Sequence, residues 1–324
     1  MNLAVGVPRG LLFHEYGPIM LELLRQCGAR PVLSPVTNRE ILQAGLELCV
    51  DEACLPVKVF FGHVAYLSGK VDALLVPRFV SVEPRAYICP KLMGLPDMIR
   101  ARVCGAPRLV DPCIDMSSGL SRIASQVAAL GQALGVGRGR AAIALVKSID
   151  AAKRGSPEPE PAPSGAIRIG ILGHNYALRD PYISLDLVDK IRRLGAAPIQ
   201  ACDYSHRETA GWERERARRG AKRLFWTYGR RLVGAAYRWL ETGEVDGIVH
   251  LASFGCGPES FVAEVIQHEA SKHGDMPLLC IDIDEHSAEA GLTTRLEAFI
   301  DTVAMRSGEY ARYVPTSGQP VDTR

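Results

Sequence analysis

Residues Val245–Ala270 read VDGIVHLASFGCGPESFVAEVIQHEA. The first eight form a near-continuous apolar run, the pattern of a strand covered on both faces. The last ten place apolar residues at helical intervals. Between them lies SFGCGPES, in which Cys256 is flanked by glycines and followed two places on by Pro258. A strand, a loop bearing a thiol and a helix make one βα unit. The fold depends on whether that unit recurs along the chain.

The N-terminal half opens with the strand AVGVPRG, continues with FHEYGPIMLELLRQCGA as a glycine-stopped helix, and returns through RPVLSP as a second strand. The second half follows the same course with IRIGILGH, DPYISLDLVDKIRRLGA and APIQACD. Later, VDALLVPRF in the first half answers VDGIVHLASF in the second, each ahead of a loop that carries a cysteine, Cys89 or Cys256. Strands alternating with helices predict an α/β protein of two related domains with mostly parallel sheets. Ligands of such sheets collect beyond the C-terminal strand ends, so a cleft between facing domains is the expected site. The expected N-terminal domain is 1–153, with LSRIASQVAALGQALG and AAIALVKSIDAAK as bridging helices. A Pro/Glu-rich linker at 154–165, a C-terminal α/β domain at 166–305 and a tail at 306–324 complete the division.

With 324 residues, 47% of them hydrophobic, the chain is long enough for a sizeable core. A net charge of +2 gives no reason to expect nucleic acid or an anionic membrane as partner. No apolar run approaches the ~20 residues that would span a bilayer. The opening MNLAVGVPRG has neither a basic leader nor a cleavage site, so no signal peptide is expected. Nine cysteines, an odd number without an export signal, favour free thiols in a reducing cytoplasm over a disulfide framework.

Cys27, Cys49, Cys202 and Cys280 sit in or beside regular apolar elements and read as small buried hydrophobes. Cys54 in DEACLPVKVFFGH, Cys89 in AYICPKLMGLPD and Cys256 differ, because each is followed within two residues by proline. Proline fixes φ and removes an N–H, so these thiols are expected on stiff, non-helical chain, as a preformed metal or cluster site requires. Cys104 and Cys113 are ambiguous, and Cys113 in VDPCID is a candidate fourth thiolate. There is no C-x-x-C, so the compact zinc and ferredoxin patterns are absent.

Other polar groups have a functional and a structural reading. His63 in FFGHVAYL could donate to a cluster sulfur or a substrate carbonyl, or be a satisfied core histidine. His174 and Tyr176 in GHNYALRDP follow a strand, where binding residues collect. Glu259 could act in the site or favour the first turn of the next helix. Asp51 and Glu52 are proton donors or caps, and Lys58 and Lys91 could offset an anionic cluster. Asp284–His286 invites a metal reading, against which capping and a pair with Arg295 weigh more. The stretch His206–Arg231 holds nine Lys/Arg against three acids with aromatics between them. It reads as a solvated face, or as a docking surface for a protein or for coenzyme A phosphates.

Taken together, VDEACLPVKVFFGHV, VDALLVPRFVSVE, YICPKLMGLPDMIR, GHNYALRDPYI, VDGIVHLASFGCGPES and DIDEHSAEAGLTTRLEAF resemble the 2-hydroxyacyl-CoA dehydratase and benzoyl-CoA reductase superfamily, over roughly residues 3–305. The resemblance is closer to its acyl-CoA dehydratase activase-related branch, whose sequence also occurs as a module within larger activases. It implies two flavodoxin-like domains facing each other across a cleft that binds a 4Fe–4S cluster through three cysteines, with one iron open. On that pattern Cys54, Cys89 and Cys256 are the ligands. Some relatives build a double-cubane 8Fe–9S cluster, and the sequence leaves the two open.

The resemblance also implies a low-potential electron delivered by a separate ATP-hydrolysing iron–sulfur activase. The chain has no G-x-x-x-x-G-K-[ST] loop, so it is expected to accept that electron without binding ATP itself. The implied activity is that of a dehydratase-like lyase or reductase component acting on a small or acyl-CoA substrate. A homodimer or a companion dehydratase subunit is the implied assembly. Two rival readings are a non-catalytic accessory or assembly partner, and a three-thiolate zinc site with an open position.

Overall fold

A computed structural model of the chain describes residues 3–117, 120–154, 166–274 and 276–306. The expected linker, save Arg154, and the expected tail, save Arg306, lie outside the described residues. In the first half the elements run β1 (Ala4–Val7), α1 (Phe13–Gln26), β2 (Arg30–Leu33), α2 (Arg39–Leu48), α3 (Leu55–Leu67), β3 (Ala73–Leu75) and β4 (Arg78–Ser81). They continue through α4 (Pro90–Met93), α5 (Leu95–Arg102), β5 (Arg108–Val110), β6 (Cys113–Asp115), α6 (Leu120–Ala133) and α7 (Arg138–Arg154). The second half begins with β7 (Arg168–Leu172), α8 (Asn175–Leu178), α9 (Pro181–Ser184), α10 (Leu187–Arg193) and β8 (Ala197–Gln200). It ends with α11 (His206–Arg218), α12 (Thr227–Thr242), β9 (Gly247–Ser253), α13 (Gly257–Lys272), β10 (Leu278–Ile283) and α14 (Glu289–Arg306).

The protein is α/β with parallel sheets, as the alternation of strands and helices predicts. One four-stranded sheet runs β2-β1-β3-β5 and the other β10-β9-β7-β8. Both have the same order: the first strand of the half is inside, the second on one flank, the third and the last on the other. In each, the chain reverses direction across the sheet beside its first strand. The crevice beyond the C-terminal ends of β7 and β9 is thus a topological switch point.

Two segments depart from the expected elements, each for a local reason. VDALLVPRF is not one strand: Pro77 has no N–H to give the ladder, and β3 ends before it while β4 begins after it. Pro112 splits β5 from β6 in the same way, and β4 pairs with β6 in a small parallel sheet of their own. DPYISLDLVDKIRRLGA is not one helix either. Leu185 and Asp186 adopt left-handed φ values of 52° and 55° between α9 and α10, and the Lys190 ammonium takes up the Leu185 carbonyl at 2.6 Å.

The apolar core is continuous from the β1 sheet to one face of the β7 sheet. A second cluster around Trp239 fills the other face. α3 is buried along nearly its whole length, as a helix that is apolar all round must be. It lies backbone to backbone on α2. A Cβ placed on Gly62 would come within 1.8 Å of the Ile41 carbonyl oxygen, and one on Gly45 within 2.0 Å of the Lys58 carbonyl oxygen. These two glycines set where α3 starts, and hence where Cys54 stands. Among the described residues no helix is long and apolar enough to cross a membrane.

Candidate functional site

Cys54, Cys89 and Cys256 are each the residue that caps a helix N-terminus: α3, α4 and α13 respectively. All three have non-helical backbone, and none spends its sulfur on capping its own helix. The prolines behind them play a different part from the one expected. Pro56, Pro90 and Pro258 lie in the first turn of the helix, where a missing N–H costs nothing and the fixed φ favours helix. Pro90 also disfavours helical backbone at Cys89 directly before it, while Cys54 and Cys256, two residues ahead of their prolines, are extended as the helix caps they are.

The two halves bring these loops together. The Lys91 ammonium, two residues after Cys89, donates to the Glu52 carbonyl at 2.8 Å and to the Gly255 carbonyl at 3.1 Å. Gly255 has a left-handed φ of 75°, and a Cβ there would lie 3.5 Å from the Glu52 oxygen and 3.9 Å from the Cys54 nitrogen. Tyr87 joins the loop before α12, its N–H donating to the Phe225 carbonyl at 3.0 Å and its carbonyl accepting from Thr227 at 2.9 Å. So Cys54 and Cys89 from the first half meet Cys256 from the second.

His174, Tyr176 and Glu259 complete the group. His174 Nε2 is 3.9 Å from the Cys256 sulfur, and its Nδ1 is 3.6 Å from Glu259 Oε1. The buried Glu259 carboxylate accepts from the His174 backbone at 3.1 Å and from the Ser253 backbone at 2.9 Å. It therefore staples the exits of β7 and β9 across the switch point, rather than serving only the helix it begins. The His174 ring packs on Tyr176 and Tyr228 at centroid distances of 4.9 and 5.5 Å.

Burial dominates the electrostatics. It pushes the Cys54 thiol up to about 11, with Cys89 adding to the rise. Cys256 is raised further, by burial first, then by Glu259, Cys54 and Cys89. Burial also raises the Tyr176 phenol and lowers the His174 imidazole, so both are neutral at pH 7. All nine cysteines are free. The Cys54 and Cys256 thiols, when bare, keep their protons, and a soft metal that takes the sulfurs displaces them.

Two kinds of occupant can be weighed against these atoms. For a single ion, His174, Cys256 and Glu259 offer one ligand atom each within 4.8 Å of one another. Glu259, however, is already committed to two backbone N–H groups. For an iron–sulfur cluster, thiolates bind separate irons and need not converge on one point. Three free thiols on rigid helix caps, each within electrostatic reach of the others, fit that donor set. A thiol–imidazole–carboxylate relay has the right order of groups, but an activated nucleophile needs a depressed thiol pKa, opposite to the one here.

Other candidate residues lie elsewhere. His63 is nine residues along α3 from Cys54 and belongs to a different buried network. Its Nε2 is 3.1 Å from Thr37 Oγ1, which in turn donates to Asp180. Lys58 reaches Glu285 at 2.6 Å and not the thiols. Asp284 accepts from the His286 N–H and the Ser287 hydroxyl, while Arg295 donates to the Cys280 carbonyl, so the expected Arg295 pair does not form. Asp51, Glu52, Cys104 and Cys113 are exposed. Much of the basic stretch is paired within the protein, for example Arg223 with Glu213 inside the stretch, and Arg216 with Glu269 and Arg231 with Glu15 outside it. Tyr228, which walls His174, was visible in the sequence only as one aromatic of that stretch.

The family described as CoA enzyme activase uncharacterised domain (DUF2229) matches residues 4–202. That span includes Cys54, Cys89, His174 and Tyr176 and ends before Cys256 and Glu259. No curated protein matches the chain. Among solved structures, the SBP FpvC of Pseudomonas aeruginosa in complex with Ni2+ is 13% identical, covering 95% of this chain and 98% of its own, with a TM-score of 0.27. Its complex with Mn2+ gives 13% identity, 95% and 100% coverage and 0.27. Tagatose-6-phosphate ketose/aldose isomerase of Escherichia coli gives 9%, 99%, 86% and 0.21.

Proposed function

Because the chain belongs to the CoA enzyme activase uncharacterised domain family, we propose that it is an iron–sulfur redox protein resembling 2-hydroxyacyl-CoA dehydratase subunits. The observation that carries this reading is the meeting of Cys54, Cys89 and Cys256 on three proline-backed helix caps drawn from both halves. When bound, a 4Fe–4S or double-cubane cluster would supply a low-potential electron to a small or acyl-CoA substrate.

The chain's own residues would prepare the site. The three thiolates would hold the irons. The N-termini of α3 and α13 favour their negative charge. His174 Nε2 stands where it can donate to the Cys256 sulfur, with Glu259 holding the backbone N–H of its loop. Tyr176 and Tyr228 shield this side from water. The electron would come from an ATP-hydrolysing iron–sulfur activase. Phe254, 72% exposed two residues before Cys256, offers apolar surface for its approach. A cytoplasmic setting follows from the same reading.

A second reading is favoured by the family's description, which names an activase and not a dehydratase. Here the chain is an accessory or assembly module that holds a cluster while turnover needs another subunit. Iron and acid-labile sulfide per chain, with EPR after dithionite, test the shared premise on protein kept without oxygen. About four irons, lost in Cys256→Ser, support it; about eight point to the double cubane. Zinc, or no metal at all, overturns it. Turnover of an acyl-CoA by the isolated, reduced chain then separates the two readings.

A further inference from the structure

Beside the thiol site, past the C-terminal ends of β7 and β8, lies a second cavity of about 230 Å³. It opens past the carboxyl ends of two parallel strands, beside and not at the β7–β9 switch point. Gly173 forms bare backbone at its floor. A Cβ there would lie 2.9 Å from the Leu251 carbonyl oxygen, on the side away from the cavity, so only glycine fits where the backbone meets this lining. Tyr228 and Glu15 form the wall toward His174.

The lining has a definite chemistry. Glu15 is neutralised, because Arg231 donates to one oxygen at 2.9 Å and the Tyr228 hydroxyl to the other at 2.7 Å. Arg179 also lines the cavity, and among the described residues no carboxylate lies within ion-pair distance of its guanidinium. Asp203 feels that charge from beyond ion-pair distance, so the lining carries at most one excess positive charge. Asn175 lines the cavity too, and its Oδ1 is closed to solvent and receives no hydrogen bond, so a guest reaches it as the amide turns toward the cavity. An orphaned buried acceptor calls for a donor.

We propose that this cavity binds a small monoanionic carboxylate carrying a hydroxyl or amide N–H, with Arg179 on the carboxylate and Asn175 Oδ1 accepting from the donor. The Arg fork matches a carboxylate in plane. A single excess charge suits a monoanion better than a phosphate dianion. The volume falls below the 300–1,000 Å³ of drug-sized sites and limits the guest to a few carbons. The site stands on Arg179, Asn175 and the cavity, and so does not depend on what the thiols hold.

Calorimetric titration of the full chain at low chloride tests it, with 3-hydroxybutyrate, butyrate and inorganic phosphate as probes. 3-Hydroxybutyrate is expected to bind saturably, roughly 2- to 10-fold tighter than butyrate. Arg179→Gln, at an exposed position, should weaken both carboxylates by about tenfold or more. Asn175→Leu should abolish the preference for the hydroxyl. No saturable binding, equal affinity in wild type and Arg179→Gln, or tighter binding of phosphate overturns the proposal. Iron is measured on the same samples. Arg179-dependent binding to iron-free protein upholds this site while refuting the cluster, and iron without binding does the reverse.

Discussion

His174 and Cys256 come from the ends of two neighbouring strands, β7 and β9, and the imidazole Nε2 lies 3.9 Å from the thiol sulfur. The contact is placed by Glu259, whose carboxylate holds the backbone at both strand exits. A histidine so placed is a positioning residue for whatever the sulfur binds. His174→Gln should therefore leave folding largely intact and lower metal retention by about 10- to 100-fold, the usual cost of losing a supporting hydrogen bond around a metal. Iron retained against a chelator, followed with the EPR signal, reads this directly. Unchanged retention and an unchanged signal would deny His174 that role.

Lys91 makes a different kind of tie. Its ammonium binds carbonyls from the Cys54 loop and the Cys256 loop, and its own helix begins at Cys89. The contact is exposed, so its weight in global stability is small. Lys91→Met should lower the unfolding free energy read from urea titration by no more than about 1 kcal/mol while loosening the relative placement of the three thiols. The expected result is normal folding with reduced iron content. Loss of both together would make Lys91 a folding residue instead.

The α2–α3 contact gives a prediction about stability alone. Gly62 presses its backbone against Ile41, and a methyl group there would overlap the carbonyl oxygen. Gly62→Ala should destabilise the protein by about 3 kcal/mol, at the upper end of ordinary overpacking, as read from chemical denaturation. The same variant should disturb the metal site, since α3 carries Cys54 at its start.

How far the sequence disclosed this arrangement differs from residue to residue. The parallel α/β sheets were legible because strand and helix periods are local properties of VDGIVHLA and FVAEVIQHEA. That the halves are built alike was suggested by their matching openings, but their strand order was not read from sequence. The breaks at Pro77 and at Leu185–Asp186 were not foreseen, because both fall inside apolar runs that periodicity reads as continuous. Cys54, Cys89 and Cys256 stood out through their prolines, although the proline belongs to the first helical turn and not to a stiff loop. Their meeting was implied by resemblance and not by spacing, since the contacts through Lys91 and Gly255 join residues far apart in the chain. Tyr228, Glu15 and Asn175 gave no local signal. Their roles come from tertiary neighbours alone.

Cys104 and Cys113 provide a control on the ligand set. Both are exposed, and Cys113 begins the edge of the small β4–β6 sheet. Cys104→Ser and Cys113→Ser should keep full iron content, while Cys54→Ser and Cys89→Ser should lose it as Cys256→Ser does. Loss of iron in Cys113→Ser would bring in a fourth thiolate and change the expected open coordination.

The buried network around His63 predicts an acid transition independent of any metal. Burial lowers His14 to about 4 and His63 to about 3 from 6.5, with Arg9 and Arg179 adding to the fall in His14, and His14 and Arg9 to that in His63. Both are neutral in the folded protein at pH 7, and the unfolded chain binds their protons first. Stability is thus fully present above about pH 6.5 and declines as pH falls toward 4. Asp180, which accepts from Thr37 beside both rings, opposes this because burial raises its pKa. By pH 4 each histidine taken alone would cost on the order of 3 kcal/mol at about 1.36 kcal/mol per pKa unit, and Asp180 returns part of their sum. Urea midpoints measured from pH 7.5 to 4 on wild type and His14→Gln give the test. The variant should show a shallower decline below pH 6.5. Parallel curves would mean that these histidines do not set the acid limit of the fold.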